Sequence, residues 1–221
     1  MEVKDIHRGQ VYKADLSCKH DPSNNNDVLV LIVQNDVGNR YSQTTIVVPV
    51  EKWKKAVSET QYEFSFLAVS CCVYAEQIRV IDKSRLLEYV GTVSENVVEE
   101  VTRRIYTATN FAEGEIFWAD LGETVGSEQW GVRPVLVVQD EKNSKLSDTT
   151  IVVPLTSRRK LRLPTHHRFY AFHRQQTACA EQIRVLERNR LQELIGALNP
   201  WDRDAIKHCC AVAVGGFDGK Y

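Results

Sequence analysis

The sequence predicts a mainly β (α+β) protein built from two copies of one small, strongly bent antiparallel barrel, each copy closed by a C-terminal helix. Three observations lead there: repetition at a constant offset, short β-branched apolar runs, and an amphipathic stretch at the end of each unit. RGQVYKADL (8–16) returns as EGEIFWADL (113–121), TTIVVP (44–49) as TTIVVP (149–154), and AEQIRV (75–80) as AEQIRV (180–185), each pair 105 residues apart. Gln34 with Gln139, Arg85 with Arg190 and Gly91 with Gly196 keep the same offset. A constant offset leaves no room for a net insertion, so the two halves share one fold.

The elements follow in the same order in each copy. GQVYKADL or GEIFWADL is an alternating strand, followed by a polar loop rich in Gly or Asn. VLVLIVQ or VLVVQ, then TTIVVPV or TTIVVPL, are strands by their β-branched content and short length. AEQIRV reads as a further strand, with Glu76, Ile78 and Val80 facing one way and Gln77 and Arg79 the other. The same alternation sets Glu181, Ile183 and Val185 against Gln182 and Arg184. SRLLEYVG and NRLQELIG read as one to two helical turns. SENVVEEVTRRIYTAT is a helix with Ser94 as N-cap and Val97, Val98, Val101 and Ile105 as its apolar stripe. NPWDRDAIKHCCAVAV is its counterpart, with Pro200 suited to the first helical position. The domains are therefore 1–107 and 108–221, joined at ATNFA (108–112). So short a linker predicts a packed pseudo-dimer, the single-chain counterpart of a homodimer, with two independent beads as the alternative.

Composition narrows the partners. Of 221 residues 43% are hydrophobic and 26% charged, with a net charge of -1, so an anionic partner must be met by a local patch. No segment is long or apolar enough to span a bilayer, and MEVKDIHRG lacks the apolar core of a signal peptide, so no membrane partner and a cytoplasmic location are expected. The six cysteines form no CxxC pair and include two adjacent doublets. They read as reduced, buried small hydrophobes, and neither a metal site nor a cofactor is expected.

With these blocks in place, each copy resembles the MazF/PemK family of toxin endoribonucleases (mRNA interferases). The second copy carries the resemblance through GEIFWADLGETVGSEQWGVRPVLVVQ, IVVPLTS, RLPTHH and AEQIRVLERNRLQELIG; the first through QNDVGNRYS, IVVPV and AEQIRVIDKSRLLEYVGTVS. The resemblance implies two SH3-like barrels, single-stranded RNA as substrate, and a small acidic antitoxin whose tail fills the RNA groove. It also implies that the groove arginine of GVRP and the threonine ending IVVPLT, Arg133 and Thr156, are tied to cleavage. The first copy has Val28 and Glu51 at those positions, and PSNNNDVL in place of the loop. A valine cannot pair with phosphate and a glutamate repels it. One working site per chain, and at most one antitoxin tail, are therefore expected, while pairing of chains into larger oligomers stays open.

Metal-independent RNA cleavage by attack of the 2'-hydroxyl needs a base, donors for the charge on the phosphoryl oxygens, and a proton for the leaving oxygen. Arg133 supplies planar, permanently charged donors, and Thr156 a neutral hydrogen bond. Neither is a base near neutral pH. Glu128, to which the resemblance assigns a contribution, and the pair His166 and His167 are the candidates, against the plainer reading that Arg133 forms a salt bridge with Glu128. SRRKLRLPTHHR (157–168) adds Arg158, Arg159, Lys160, Arg162 and Arg168 without an acid, which suits an RNA backbone. The stretch EKWKKAVSETQYE of the first copy alternates in sign, although Trp53, Tyr62 and Phe64 offer stacking faces. Trp130 is a stacking platform or a plug for the groove; Arg79 and Arg184 are RNA-backbone contacts or domain-interface residues. The leading function is a sequence-selective endoribonuclease of toxin–antitoxin type. The alternative is a catalytically inactive module that binds RNA, an antitoxin or another toxin; topoisomerase inhibition by the same barrel type is disfavoured by the RNase-like loop.

Overall fold

The computed structural model describes residues 5–16, 27–109, 114–139 and 147–216. Cys18, the PSNNN segment (22–26) and linker positions 110–112 lie outside them. Each copy forms one seven-stranded antiparallel sheet. In the first, β1 (Gln10–Asp15), β2 (Asp27–Ile32), β3 (Thr44–Lys52), β4 (Gln61–Phe66), β5 (Val69–Tyr74), β6 (Arg79–Asp82) and β7 (Leu86–Thr92) run in the order β4-β5-β3-β2-β1-β7, with β6 on β3. In the second, β8 (Glu115–Asp120), β9 (Val132–Val137), β10 (Thr149–Thr156), β11 (His166–Ala171), β12 (Arg174–Cys179), β13 (Arg184–Glu187) and β14 (Leu191–Ala197) repeat that order, with β13 on β10. Helix α1 (Asp36–Tyr41) belongs to the first copy, and α2 (Glu95–Ala108) and α3 (Pro200–Ala213) close the two copies.

The bend of each barrel is visible in β3. One edge pairs with β2 over Val47–Val50, while the other gives its first half to β6 and its end to β5. A sheet that shares one strand this way must curl, and register shifts between β1 and β7 and between β8 and β14 tighten the curl further. Each copy is an SH3-like barrel with a C-terminal helix. Val98, Val101 and Ile105 of α2, and Ile206, Cys209 and Cys210 of α3, are buried against the barrels. Asn199 caps α3 by accepting from the Asp202 N–H at 2.9 Å, with Pro200 at the first turn as expected. Ser94 holds the N-cap position of α2 without a side-chain bond.

Three readings of local structure change. AEQ is a 3-10 turn in both copies (Ala75–Gln77, Ala180–Gln182), and the strand starts only at Arg79 or Arg184. The chain rounds a barrel corner there, so simple alternation fails and Gln182, Ile183 and Arg184 are all buried. LLEYVGT and LQELIGA are strands, because pairing with β1 and β8 overrides their helical propensity. The hairpins β4–β5 and β11–β12 were not anticipated. Phe64 is buried in the core with Tyr62 packed against it, so of the three proposed stacking faces Trp53, 75% exposed, is the open one.

The two copies pack together, and one hydrophobic cluster runs through both, from Val11 and Ile78 to Ile183 and Val214. The Val185 N–H donates to the Ile78 carbonyl at 2.8 Å, and the Asn35 N–H to the Ala213 carbonyl at 3.0 Å. Cys71, Cys72, Cys179, Cys209 and Cys210 are buried free thiols, as their composition suggested.

Candidate active site

Adjacent strands bring the arginine and the threonine together. β9 and β10 pair Val137 with Val152, Leu136 with Val153 and Val135 with Pro154. The same register carried two residues further sets Arg133 opposite Thr156. On the other edge Thr156 pairs with Thr177, and Thr177 with Arg168. Directly opposed residues of antiparallel strands share a face, so Arg133, Thr156, Thr177 and Arg168 form one row across the sheet. That face also carries the apolar cluster of Ala119, Leu121, Val135, Val152 and Leu186, on the side away from the barrel core.

Arg133 makes no ion pair with Glu128. Its Nη1 donates to Gln129 Oε1 at 2.6 Å and its Nε to the Trp130 carbonyl at 3.1 Å. Both partners are neutral, so the guanidinium charge stays available. Burial draws its pKa below the ordinary arginine value; the nearby Arg158 adds to this, and Cys179 opposes it. Thr156 ends β10 by accepting the Arg158 N–H on its Oγ1 at 3.2 Å, which leaves its own proton to donate. Arg158, Arg159, Lys160 and Arg162 are exposed in the loop that follows, and Arg168 ties that loop back through the Lys160 carbonyl. Trp130 is 64% exposed, so its ring does not fill the groove.

The structure does not support Glu128 as a free base. It is 6% exposed, and its Oε1 accepts from the Asp82 N–H at 2.9 Å and faces Arg85 Nη1 at 3.4 Å. Both partners belong to the first copy. The same loop docks there through the Ser127 N–H on Asp82 Oδ2 at 3.0 Å and Ser127 Oγ on Gln43 Oε1 at 2.8 Å. Gly126, at φ +59, is required by this fit, since a Cβ would lie 2.0 Å from Asp82 Oδ2. Asp82, Arg85, Gln43 and Gln129 are the site-building residues that the motifs missed. Asp82, Arg85 and Gln43 lie in the first copy, outside the GSEQWGVRP loop that they hold.

The histidines point to opposite faces of β11. His167 Nε2 meets Asp202 Oδ1 of α3 at 2.7 Å, and its ring stacks with Phe169 and meets Trp201 edge to face, away from the groove. His166 lies on the groove side with its side chain 4% exposed, between Glu181 Oε1 and the Leu161 carbonyl, both at 2.8 Å. Burial lowers its pKa, but hydrogen bonds to Cys179 and Glu181, the Glu181 charge and the Leu161 carbonyl together raise it to about 10. Arg184 is buried, its pKa drawn down to about 10 by burial first and by Arg133 and Arg190 next, against Glu128. Arg79, Arg85, Arg184 and Arg190 line a cavity of about 350 Å³ between the copies, together with Glu128 and Glu187. The first copy has no counterpart of the arginine–threonine row: Glu51 accepts from the Tyr74 hydroxyl at 3.4 Å.

Comparison with known proteins agrees with this architecture. The family described as PemK-like, MazF-like toxin of type II toxin-antitoxin system matches twice, over residues 7–108 and 112–213. The chain is 36% identical over 110 residues to endoribonuclease EndoA of Bacillus subtilis (strain 168), covering 48% of this chain and 95% of that protein. It is 34% identical over 107 residues to endoribonuclease MazF of Staphylococcus saprophyticus, covering 46% and 89%. Among solved structures, MazF from Deinococcus radiodurans matches with a TM-score of 0.42 at 23% identity, covering 46% of this chain and 94% of that one. An endoribonuclease in complex with its cognate antitoxin from Mycobacterial species gives 0.40 at 23%, covering 46% and 92%. Each relative is as long as one copy. Matched by the family twice at the repeat spacing read from its sequence, the chain belongs to the PemK-like, MazF-like toxins and holds two of their domains in one polypeptide.

Proposed function

We propose that the chain is an endoribonuclease that selects and cuts single-stranded RNA at one site, in residues 108–221, with residues 1–107 as the inactive partner that completes the groove. The observation that carries this is the Arg133–Thr156 row with its uncompensated guanidinium, set against Val28 and Glu51 in the first copy. Attack of the 2'-hydroxyl on the scissile phosphate places extra negative charge on the non-bridging oxygens. Arg133 and Thr156 donate to them, and Arg158 sits close enough to share the load. The basic loop of Arg158, Arg159, Lys160 and Arg162, with Arg168, holds the backbone, and Trp130 offers a stacking face. Glu128 acts as a positioning residue: its carboxylate fixes the loop on Asp82 and Arg85, and the loop in turn presents Gln129 and the Trp130 carbonyl to Arg133. No metal takes part in these steps. A type II antitoxin is expected to engage the single basic groove with at most one tail per chain.

The anchoring of Glu128 on the first copy, the turning of His167 to α3 and the engagement of His166 by Glu181 and the Leu161 carbonyl favour a second reading, a module that binds RNA or an antitoxin without cutting. Cleavage of a long single-stranded RNA in EDTA separates the two. Wild type should give cyclic or 3'-phosphate and 5'-hydroxyl ends, and Arg133→Ala should lose about 10²–10³-fold in rate. A folded wild type that leaves varied RNA sequences intact establishes the binding module instead.

A further inference from the structure

The second copy gathers three side chains that the cleavage chemistry does not use. A His166 ring nitrogen, Cys179 Sγ and a Glu181 carboxylate oxygen all lie within 4.8 Å of one another, and His166 Nε2 is the nitrogen that meets Glu181. Tetrahedral ligands with bonds of about 2.0–2.3 Å sit about 3.3–3.8 Å apart, so shifts of about 1 Å or less set the three around an ion, with the His166–Glu181 hydrogen bond of 2.8 Å opening to admit it. We propose that His166, Cys179 and Glu181 form a zinc site with an open fourth position.

The surroundings fit a ligand set. His166 Nδ1 lies 2.8 Å from the Leu161 carbonyl, which can accept its N–H and so direct the Nε2 lone pair at Cys179 and Glu181. Metal-bound imidazoles are oriented in this way by the hydrogen bond on their other nitrogen. Glu181 Oε2 is buried and without a hydrogen-bond partner, so the carboxylate has an oxygen to give. Nitrogen, thiolate and carboxylate donors together suit Zn²⁺ and exclude a preference for Mg²⁺ or Ca²⁺, which take oxygen ligands. Binding displaces the thiol proton of Cys179 and any proton held by His166.

The first copy supplies an internal control. At the same three places it has Gln61, Tyr74 and Glu76, and Gln61 Nε2 donates to Glu76 Oε1 at 2.8 Å. The glutamate is common to both copies; histidine and cysteine occur only in the second. The salt bridge engages His166 and Glu181, and Cys179 Sγ makes a long contact, 4.0 Å, with the Thr177 carbonyl. The site also lies where an ion would matter. Leu161 belongs to the basic loop, and Cys179 lies two residues along β12 from Thr177, the strand partner of Thr156.

The test is titration of the metal-free full chain with Zn²⁺ against a chromophoric chelator, and with Co²⁺ by absorption spectroscopy. The wild type should bind one equivalent of Zn²⁺ and show a thiolate-to-cobalt charge-transfer band. Cys179→Ala should lose the band, and His166→Gln should weaken binding at least tenfold. His166→Gln recreates the Gln61–Glu76 pair of the first copy, so it should keep its fold by circular dichroism. Cys209→Ser should leave binding unchanged. Absence of stoichiometric binding by wild type, or equal binding by folded His166→Gln and Cys179→Ala, overturns the proposal whether or not the chain cuts RNA.

Discussion

Glu128 lies in the loop before β9 and Arg133, five residues on, in β9 itself, and the two serve different ends of the segment. Side-chain type offered both for chemistry; burial separates them, because a carboxylate 6% exposed and facing Arg85 is an anchor rather than a base. Asp82 is the partner anchor. Burial raises its pKa, but hydrogen bonds from the Ser84 and Ser127 N–H groups and the Ser84 hydroxyl outweigh this and hold it below the ordinary aspartate value. A depressed carboxylate pKa stabilises the fold at pH above the unfolded value of 3.8, and that stability is lost as pH falls through the still lower folded value. Asp82→Asn should therefore cost about 1.5–3 kcal/mol near neutral pH, and denaturant unfolding curves of mutant and wild type should converge in strong acid. His167 tests the other histidine reading. His167→Ala should lose about 1–3 kcal/mol of stability through Asp202 while RNA cleavage by the folded protein is unchanged; a pH-dependent loss of rate in that variant returns it to the groove.

At the scale of elements, the legible parts were those with a strong local pattern. β1, β2, β3 and their repeats, and the two closing helices, carry alternation, β-branching or an apolar stripe strong enough to read directly. The hairpins β4–β5 and β11–β12 carry none of the usual turn residues. Their tips are Leu67–Ala68 at φ 51 and 61 and Phe172–His173 at φ 54 and 59, left-handed positions normally given to Gly or Asn. Tertiary pairing holds these tips against their own preference. Leu67 and Ala68 are exposed, so replacing them with Asn-Gly should raise stability by about 1–2 kcal/mol, read as an increase in the denaturant midpoint at constant slope. AEQ was misread for a related reason: a barrel corner, where Ala180 N–H reaches the Thr165 carbonyl, has no periodic signature.

At the scale of the whole molecule, the pseudo-dimer is one folding unit. A single apolar cluster spans both copies, and loop 121–131 of the second is anchored on the first. The chain should unfold in one cooperative transition by both fluorescence and circular dichroism, and two separated transitions would show that the interface adds little. Among the described residues no helix is long and apolar enough to cross a membrane.

The sequence by itself determined the duplication, the family, the first three strands and the closing helix of each copy and the asymmetry between the copies, because each is written in residue identity at a fixed spacing. Only the tertiary structure decided which polar residues are available. Alternation along β11 sends His166 toward the groove and His167 to α3, and docking of one copy on the other buries Glu128 while leaving Arg133 with neutral partners. His166, Cys179 and Glu181 meet for the same reason: strand pairing joins 166 to 179, and the corner after β12 folds 181 back onto both. Such meetings depend on long-range register, which no local pattern of residues records.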